Sequence, residues 1–234
     1  MMTGRTAGFG TMDFGATAGP ASGVPSRRAF LVGAGASLAA LSLAGCVTGG
    51  MSLQEAQRVY GPVPEEKFPI PAVNLSKLDP KWYRRTVRYE SKEAPGTIII
   101  DPKNHYVYRI EGNNMATRYG ANVGRDGFRW TGDVVVGRKG EWPIWTPPKE
   151  MIARQPEAAK YAGGMPGGLD NPLGARTLYL YQDGVYTLYT IYATSHPDSI
   201  GKGVTSGCTG LLSQDMIDLY NKTPVGTKVV MLPS

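Results

Sequence analysis

One hairpin signal constrains this chain more than any other feature. Residues 178–181 and 185–193 carry aromatic and β-branched side chains at a period of two, on either side of Gln182-Asp183-Gly184. That period sends successive side chains to opposite faces of a sheet, and Asp-Gly supplies the positive φ that a tight turn between right-twisted strands requires. Runs of the same kind recur at 97–101, 106–111, 116–123, 134–136 and 228–232. Pro102-Lys103-Asn104, Gly112-Asn113-Asn114 and Pro224-Val225-Gly226 punctuate them. The pattern predicts a mainly β domain over 97–234, arranged as an antiparallel β-sandwich with one or two short helices. One helix is well marked, with Ser213 as N-cap, Asp215 in the first turn and Met216, Ile217, Leu219 and Tyr220 facing the core. A weaker one over 149–161 is disturbed by Pro156.

Between the second hairpin strand and the Ser213 helix lies a turn of small residues, Thr205-Ser206-Gly207-Cys208-Thr209-Gly210. Glycine lets a backbone approach a substrate closely, and successive N–H groups beside a sulfur can hold an oxyanion. Cys208 is therefore a candidate nucleophile. The same residues also fit a buried packing cysteine, since free cysteine is among the most buried residue types.

Larger blocks around this turn resemble a known family. VGRDGFRWTGDVVVGRKGEWPIWTPPKEMIARQP, LDNPLGARTLYLY, and TSGC followed by LLSQDMIDLYNKTPVGTKVVML make residues 97–232 similar to the catalytic domain of YkuD-type L,D-transpeptidases. The resemblance implies that fold, a cysteine acyl-enzyme at Cys208, and peptidoglycan stem peptides as substrate, with no cofactor and a monomeric enzyme. It places the family's Ser/His-Gly-Cys signature on Ser206, Gly207 and Cys208, so Thr205, Ser206 and Gly207 become substrate-binding candidates. The family histidine falls on Tyr192, its following glycine on Ala193, and the arginine two residues after the cysteine on Gly210. A phenol is protonated at neutral pH unless a cation such as Lys202 lowers its pKa, so Tyr192 is a poor base. His196 is four residues further on, within roughly 13 Å of extended chain, and becomes the alternative candidate base.

Other features narrow the class. The formal net charge of +6 is diffuse, and no stretch clusters cations with stacking aromatics, which argues against nucleic acid as a partner. Two histidines and no Cys-x-x-Cys pair argue against a metal site. Trp142 and Trp145, in the stiff Glu141–Pro148 run, fit either a groove wall or the core. A loop at 163–174, with five glycines, is the other candidate wall.

The first 45 residues read as a targeting segment. Ser26-Arg27-Arg28-Ala29-Phe30-Leu31 has a twin-arginine pattern, and Leu43-Ala44-Gly45-Cys46 resembles a lipobox, making Cys46 the expected lipidation site. A lipidated Cys46 would leave Cys208 a free thiol in an oxidising envelope. The expected location is the periplasmic side of the cell envelope, lipid-anchored, with the outer membrane favoured by Val47 after the cysteine. Residues 46–96 are rich in proline and read as an extended spacer reaching on the order of 150 Å. Alternatively, Trp82, Tyr83 and Tyr89 pack part of this segment on the domain.

Overall fold

The computed structural model describes residues 50–124, 134–203 and 208–233. Helix α1 (Leu53–Val59) is followed by strands β1 (Arg85–Arg88), β2 (Ile98–Asp101), β3 (Tyr106–Gly112), β4 (Met115–Asn122) and β5 (Val134–Glu141). Helix α2 (Lys149–Arg154), strands β6 (Arg176–Gln182), β7 (Val185–Ala193) and β8 (Thr209–Leu211), helix α3 (Ser213–Asn221) and strand β9 (Lys228–Met231) complete the order. The expected hairpin joins β6 and β7, with Asp183 at φ 49° and Gly184 at φ 78° in its turn. Asn113 and Asn114, at φ 51° and 56°, make the β3–β4 turn in the same way.

The strands form one sheet in the order β1-β4-β3-β2-β9-β5-β6-β7-β8, and β8 also pairs with β4. This last pairing closes the sheet. The two layers expected of a sandwich are thus opposite walls of one barrel-like sheet. β4 makes the closure possible by offering one edge to β1 over its first half and to β8 at Ala121 and Asn122. The mainly β architecture holds, but two pairings, β2–β9 and β7–β8, are parallel rather than antiparallel. Inside lie Ile98, Ile100, Val107, Tyr119, Leu178, Leu180, Ile191 and Leu211, joined by Met216 and Leu219 from α3. α3 starts at Ser213, with Leu212 rather than Ser213 in the cap position. The weaker helix is cut as expected: α2 stops before Pro156 and a 3-10 turn, Pro156–Tyr161, follows.

Of the two readings of the proline-rich segment, the structure holds the packed one over its described part. Ala56, Tyr60, Leu78 and Tyr83 are buried in a second cluster with Ile200 and Leu212. Gln214 Nε2 donates to the carbonyls of Gly61 and Pro71. Glu66 receives Arg176 Nη2 at 2.6 Å, Arg176 Nη1 at 2.9 Å and Trp142 Nε1 at 2.9 Å. The prolines leave few backbone donors to satisfy, so an irregular strap can lie along the domain using side-chain and carbonyl contacts.

Candidate active site

The site is built where β4, β7 and β8 meet. Tyr192 on β7 and Asn122 on β4 both pair with Gly210 on β8, and Cys208 stands just before that strand. Asn122 is buried and acts as the junction: its Oδ1 accepts the Gly210 N–H at 2.7 Å, and its Nδ2 donates to Ser199 Oγ at 2.6 Å. The Tyr192 hydroxyl is hydrogen-bonded to the same amide. A β-carbon at Gly210 would stand 2.4 Å from Asn122 Oδ1. Position 210 therefore accepts no side chain while Asn122 occupies this place, and no guanidinium can be presented from it.

Cys208 is half-buried and forms no disulfide among the described residues. Its Sγ lies 3.8 Å from the Leu188 carbonyl oxygen. A bulge in β7 brings that carbonyl there. Tyr181 pairs with Tyr186 while Tyr179 pairs with Thr190, so residues 187–189 stand opposite Leu180 alone. Leu188 takes φ 68° to accommodate the extra chain, and its side chain is left exposed. A leucine in the left-handed region is uncommon, and such strain collects beside functional groups. Thr187 Oγ1 pins the bulge by donating to Leu180 O at 2.7 Å.

Two phenols share the sulfur's electrostatic surroundings. Burial pushes the Tyr192 hydroxyl well above its ordinary pKa, and negative charge on Cys208 would push it further. Burial and Cys208 act in the same order on Tyr186. Both phenols are thus firmly protonated at neutral pH and serve as donors, not bases. Lys202 is exposed and does not reverse this for Tyr192.

His196 lies exposed in the loop after β7. Its N–H donates to Thr194 Oγ1, and its carbonyl accepts from both the N–H and the Oγ of Ser199. This is ordinary turn chemistry, and no contact joins its imidazole to the groups just described. Thr205, Ser206 and Gly207 lie outside the described residues, as does Cys46. Trp142 is a core residue rather than a groove wall: it is buried, edge-on to Phe68 at 5.0 Å, with its N–H on Glu66. Trp145 is half-buried against Tyr161, and its backbone pairs with Met165. The two expected wall loops are therefore joined to each other, and buried Asn171 ties them by donating to the carbonyls of Pro143, Met165 and Pro166.

A cavity of about 570 Å³ lies beyond the ends of β7 and β8, bordered by Val73, Lys77, Asp170, Thr194 and Ser213, and Cys208 is not in its wall. Among the described residues no group of three or more His, Cys, Asp or Glu side chains could hold a metal ion. Asn122, Tyr186 and the Leu188 carbonyl were not legible as site groups from sequence. Asn122 carries no motif, and a bulge is invisible to a period-two pattern.

Fold and site together define a mainly β domain with a half-exposed thiol at a strand junction. The family model of the L,D-transpeptidase catalytic domain, YkuD, matches residues 95–231, and the chain belongs to that family. It is 32% identical over 139 residues to the probable L,D-transpeptidase YbiS of Escherichia coli K12, covering 57% of this chain and 43% of the relative. It is 37% identical over 136 residues to the putative L,D-transpeptidase YqjB of Bacillus subtilis 168, covering 57% of this chain and 69% of the relative. A crystal structure from Brucella melitensis, described as a probable carnitine operon oxidoreductase, is 40% identical. That alignment covers 68% of this chain and 99% of the other, with a TM-score of 0.46. The match thus spans less than half the length of the Escherichia coli relative.

Proposed function

We propose that the protein is a cysteine acyltransferase acting on peptidoglycan stem peptides, with Cys208 as nucleophile. The observation that carries this reading is a partly exposed thiol at the family's cysteine position, with two protonated phenols within its electrostatic reach. The sulfur adds to the carbonyl carbon of an L,D-peptide bond, that C–N bond breaks, and the terminal D-residue leaves as an amine carrying the thiol proton. An acceptor amine then attacks the thioester carbon, an amide forms, and the thiol is regenerated. Tyr192 and Tyr186 contribute hydrogen-bond donation to charge developing on oxygen or sulfur. Neither takes the thiol proton, so acylation is slow and rises with pH without the plateau an imidazole would give.

The test incubates the protein with disaccharide-tetrapeptide muropeptides and follows products by mass. Cross-linked or exchanged products that vanish in Cys208→Ala support the transferase, while shortened stems identify a hydrolase. Binding without any mass change would overturn the catalytic reading in favour of a wall-binding module. That module is the second reading, favoured by a specific observation: Asn122 fills the space beside Gly210 and holds Tyr192, so the site is locked around two replacements.

We further propose that the chain is exported and held at the envelope membrane through lipid on Cys46, which brings the domain to its polymer. Acyl mass on a mature chain beginning at Cys46, lost in Cys46→Ala, is the expected result. An intact mass without acyl chains would refute the anchor.

A further inference from the structure

Strand β5 carries a second bulge beside the same cleft. Val136 pairs with Leu180 and Arg138 pairs with Tyr179, so Gly137 is the extra residue. Strict alternation would put Arg138 on the face of Val136, which is wholly buried in the core. The bulge instead turns Arg138 outward, and bulges beside active sites re-aim side chains in this way. Only glycine allows it: a β-carbon at 137 would stand 2.3 Å from the Tyr181 ring.

Arg138 is exposed, and its guanidinium sits over Tyr179 with Cζ 3.5 Å from the ring centre. Tyr179 packs edge-on against Tyr186, with centroids 5.7 Å apart. A single row crosses the sheet, since Arg138 pairs with Tyr179, Tyr179 with Thr190, and the neighbouring Ile191 with Thr209 next to the thiol. Three strand spacings separate β5 from β8, roughly 14 Å between backbones. A long arginine side chain spans much of that distance. The Tyr186 phenol also lies within electrostatic reach of both Cys208 and Arg138.

The other cations of this sheet region are engaged. Arg176 is held by Glu66, and Lys139 Nζ donates to Tyr220 O at 2.8 Å over the Tyr220 ring. Arg138 has no carboxylate partner among the described residues. A stacked guanidinium keeps its edge N–H groups free and pre-oriented, the arrangement suited to bidentate capture of a carboxylate.

We propose that Arg138 binds a carboxylate of the acyl donor, supplying from β5 the positive charge that position 210 cannot present. The ligand is an acidic peptide whose side-chain carboxylate lies several bonds from the carbonyl facing Cys208. This inference rests on the acyl-donor reading above, but its test does not need turnover.

Full-length Cys208→Ala protein is titrated by calorimetry with a diaminopimelate-containing tetrapeptide and with the same peptide amidated at the diaminopimelyl side-chain carboxyl. Adding Arg138→Gln should weaken the free acid by about tenfold or more, the range for a charge-assisted hydrogen bond. The amidated peptide should bind both proteins alike. Arg138→Lys, which keeps charge but not the planar fork, should recover only part of the loss. Equal loss for both peptides, no loss for either, or no binding of the free acid with Arg138 present overturns the proposal. Thermal unfolding of each variant separates a folding defect from a lost contact. Failure of catalysis alone, with the charge-selective binding intact, would sink only the transferase reading.

Discussion

At Gly210 a single missing β-carbon decides what the site can contain. Asn122 Oδ1 lies only 2.4 Å from where that carbon would be, and the same amide is hydrogen-bonded to Tyr192 and Ser199. Gly210→Ala should therefore destabilise the domain by about 2 kcal/mol, the cost of overpacking a rigid site, and should loosen Tyr192. Chemical denaturation checks the first effect. Asn122→Ala/Gly210→Ala should recover part of the stability, because the clash has been removed. Tyr192 sets a second expectation. Since its phenol is held protonated by burial, Tyr192→Phe should leave the pH dependence of Cys208 acylation by a carbapenem unchanged in shape. Tyr192→His should speed acylation at pH 7 and introduce a midpoint in the imidazole range. His196→Ala should match wild type. A large loss of rate in His196→Ala would restore that histidine as base.

Among the elements, α3 and the strap meet through a titrating cluster. Tyr60 donates to Asp215 Oδ2 at 3.2 Å, Arg84 Nε lies 3.8 Å from Asp215 Oδ1, and Arg84 Nη1 pairs with Asp218 at 3.0 Å. Burial pushes the Asp215 carboxyl up to about 7, against the attraction of Arg84. Asp218 is held below its usual value by Arg84 and by hydrogen bonds from Tyr119 and Lys222, which outweigh its burial. The two signs differ. A raised acid pKa means the folded state holds the proton more tightly, so Asp215 costs stability as pH rises from about 4 to about 7. Asp218 loses its contribution only as pH falls below the ordinary carboxylate range. Thermal melts should show Asp215→Asn gaining on wild type between pH 5 and pH 8. A wild type that gains instead would mean that the Arg84 ion pair outweighs desolvation. The strap shows how far sequence reached at this scale. The partners of Glu66 and Gln214 lie 76 to 153 residues away and leave no local trace. The β5 strand ran past its legible end for a similar reason: Gly137, Arg138, Lys139 and Gly140 break the apolar pattern, yet beyond the bulge at Gly137 the last three pair with β6.

Across the whole molecule, sequence disclosed the cysteine and the runs that became β2–β7 and β9, but not β1, β8 or the closure. β8 is three residues long and reads as part of a glycine-rich turn, yet it joins β7 to β4 and shuts the sheet. No period can be read from three residues, and parallel partners have no turn to announce them. The strap belongs to the same enclosed unit, because Tyr60, Leu78 and Tyr83 cover Ile200 and Leu212 at the two ends of the segment that carries Cys208. Each large buried apolar side chain contributes roughly 1.5–3 kcal/mol. Stripping Glu66 from Arg176, whose side chain is only 10% exposed, costs about 3 kcal/mol more by stranding a charge. The sum rivals the 5–15 kcal/mol that holds a whole domain together. A chain starting at residue 97 should therefore lack a cooperative melt and lose carbapenem acylation of Cys208, while Glu66→Gln in the intact chain should lower the melting temperature by several degrees and keep acylation. If residues 97–234 alone melt cooperatively near the full-length temperature and acylate at the same rate, the strap is a passive tether and the barrel is self-sufficient.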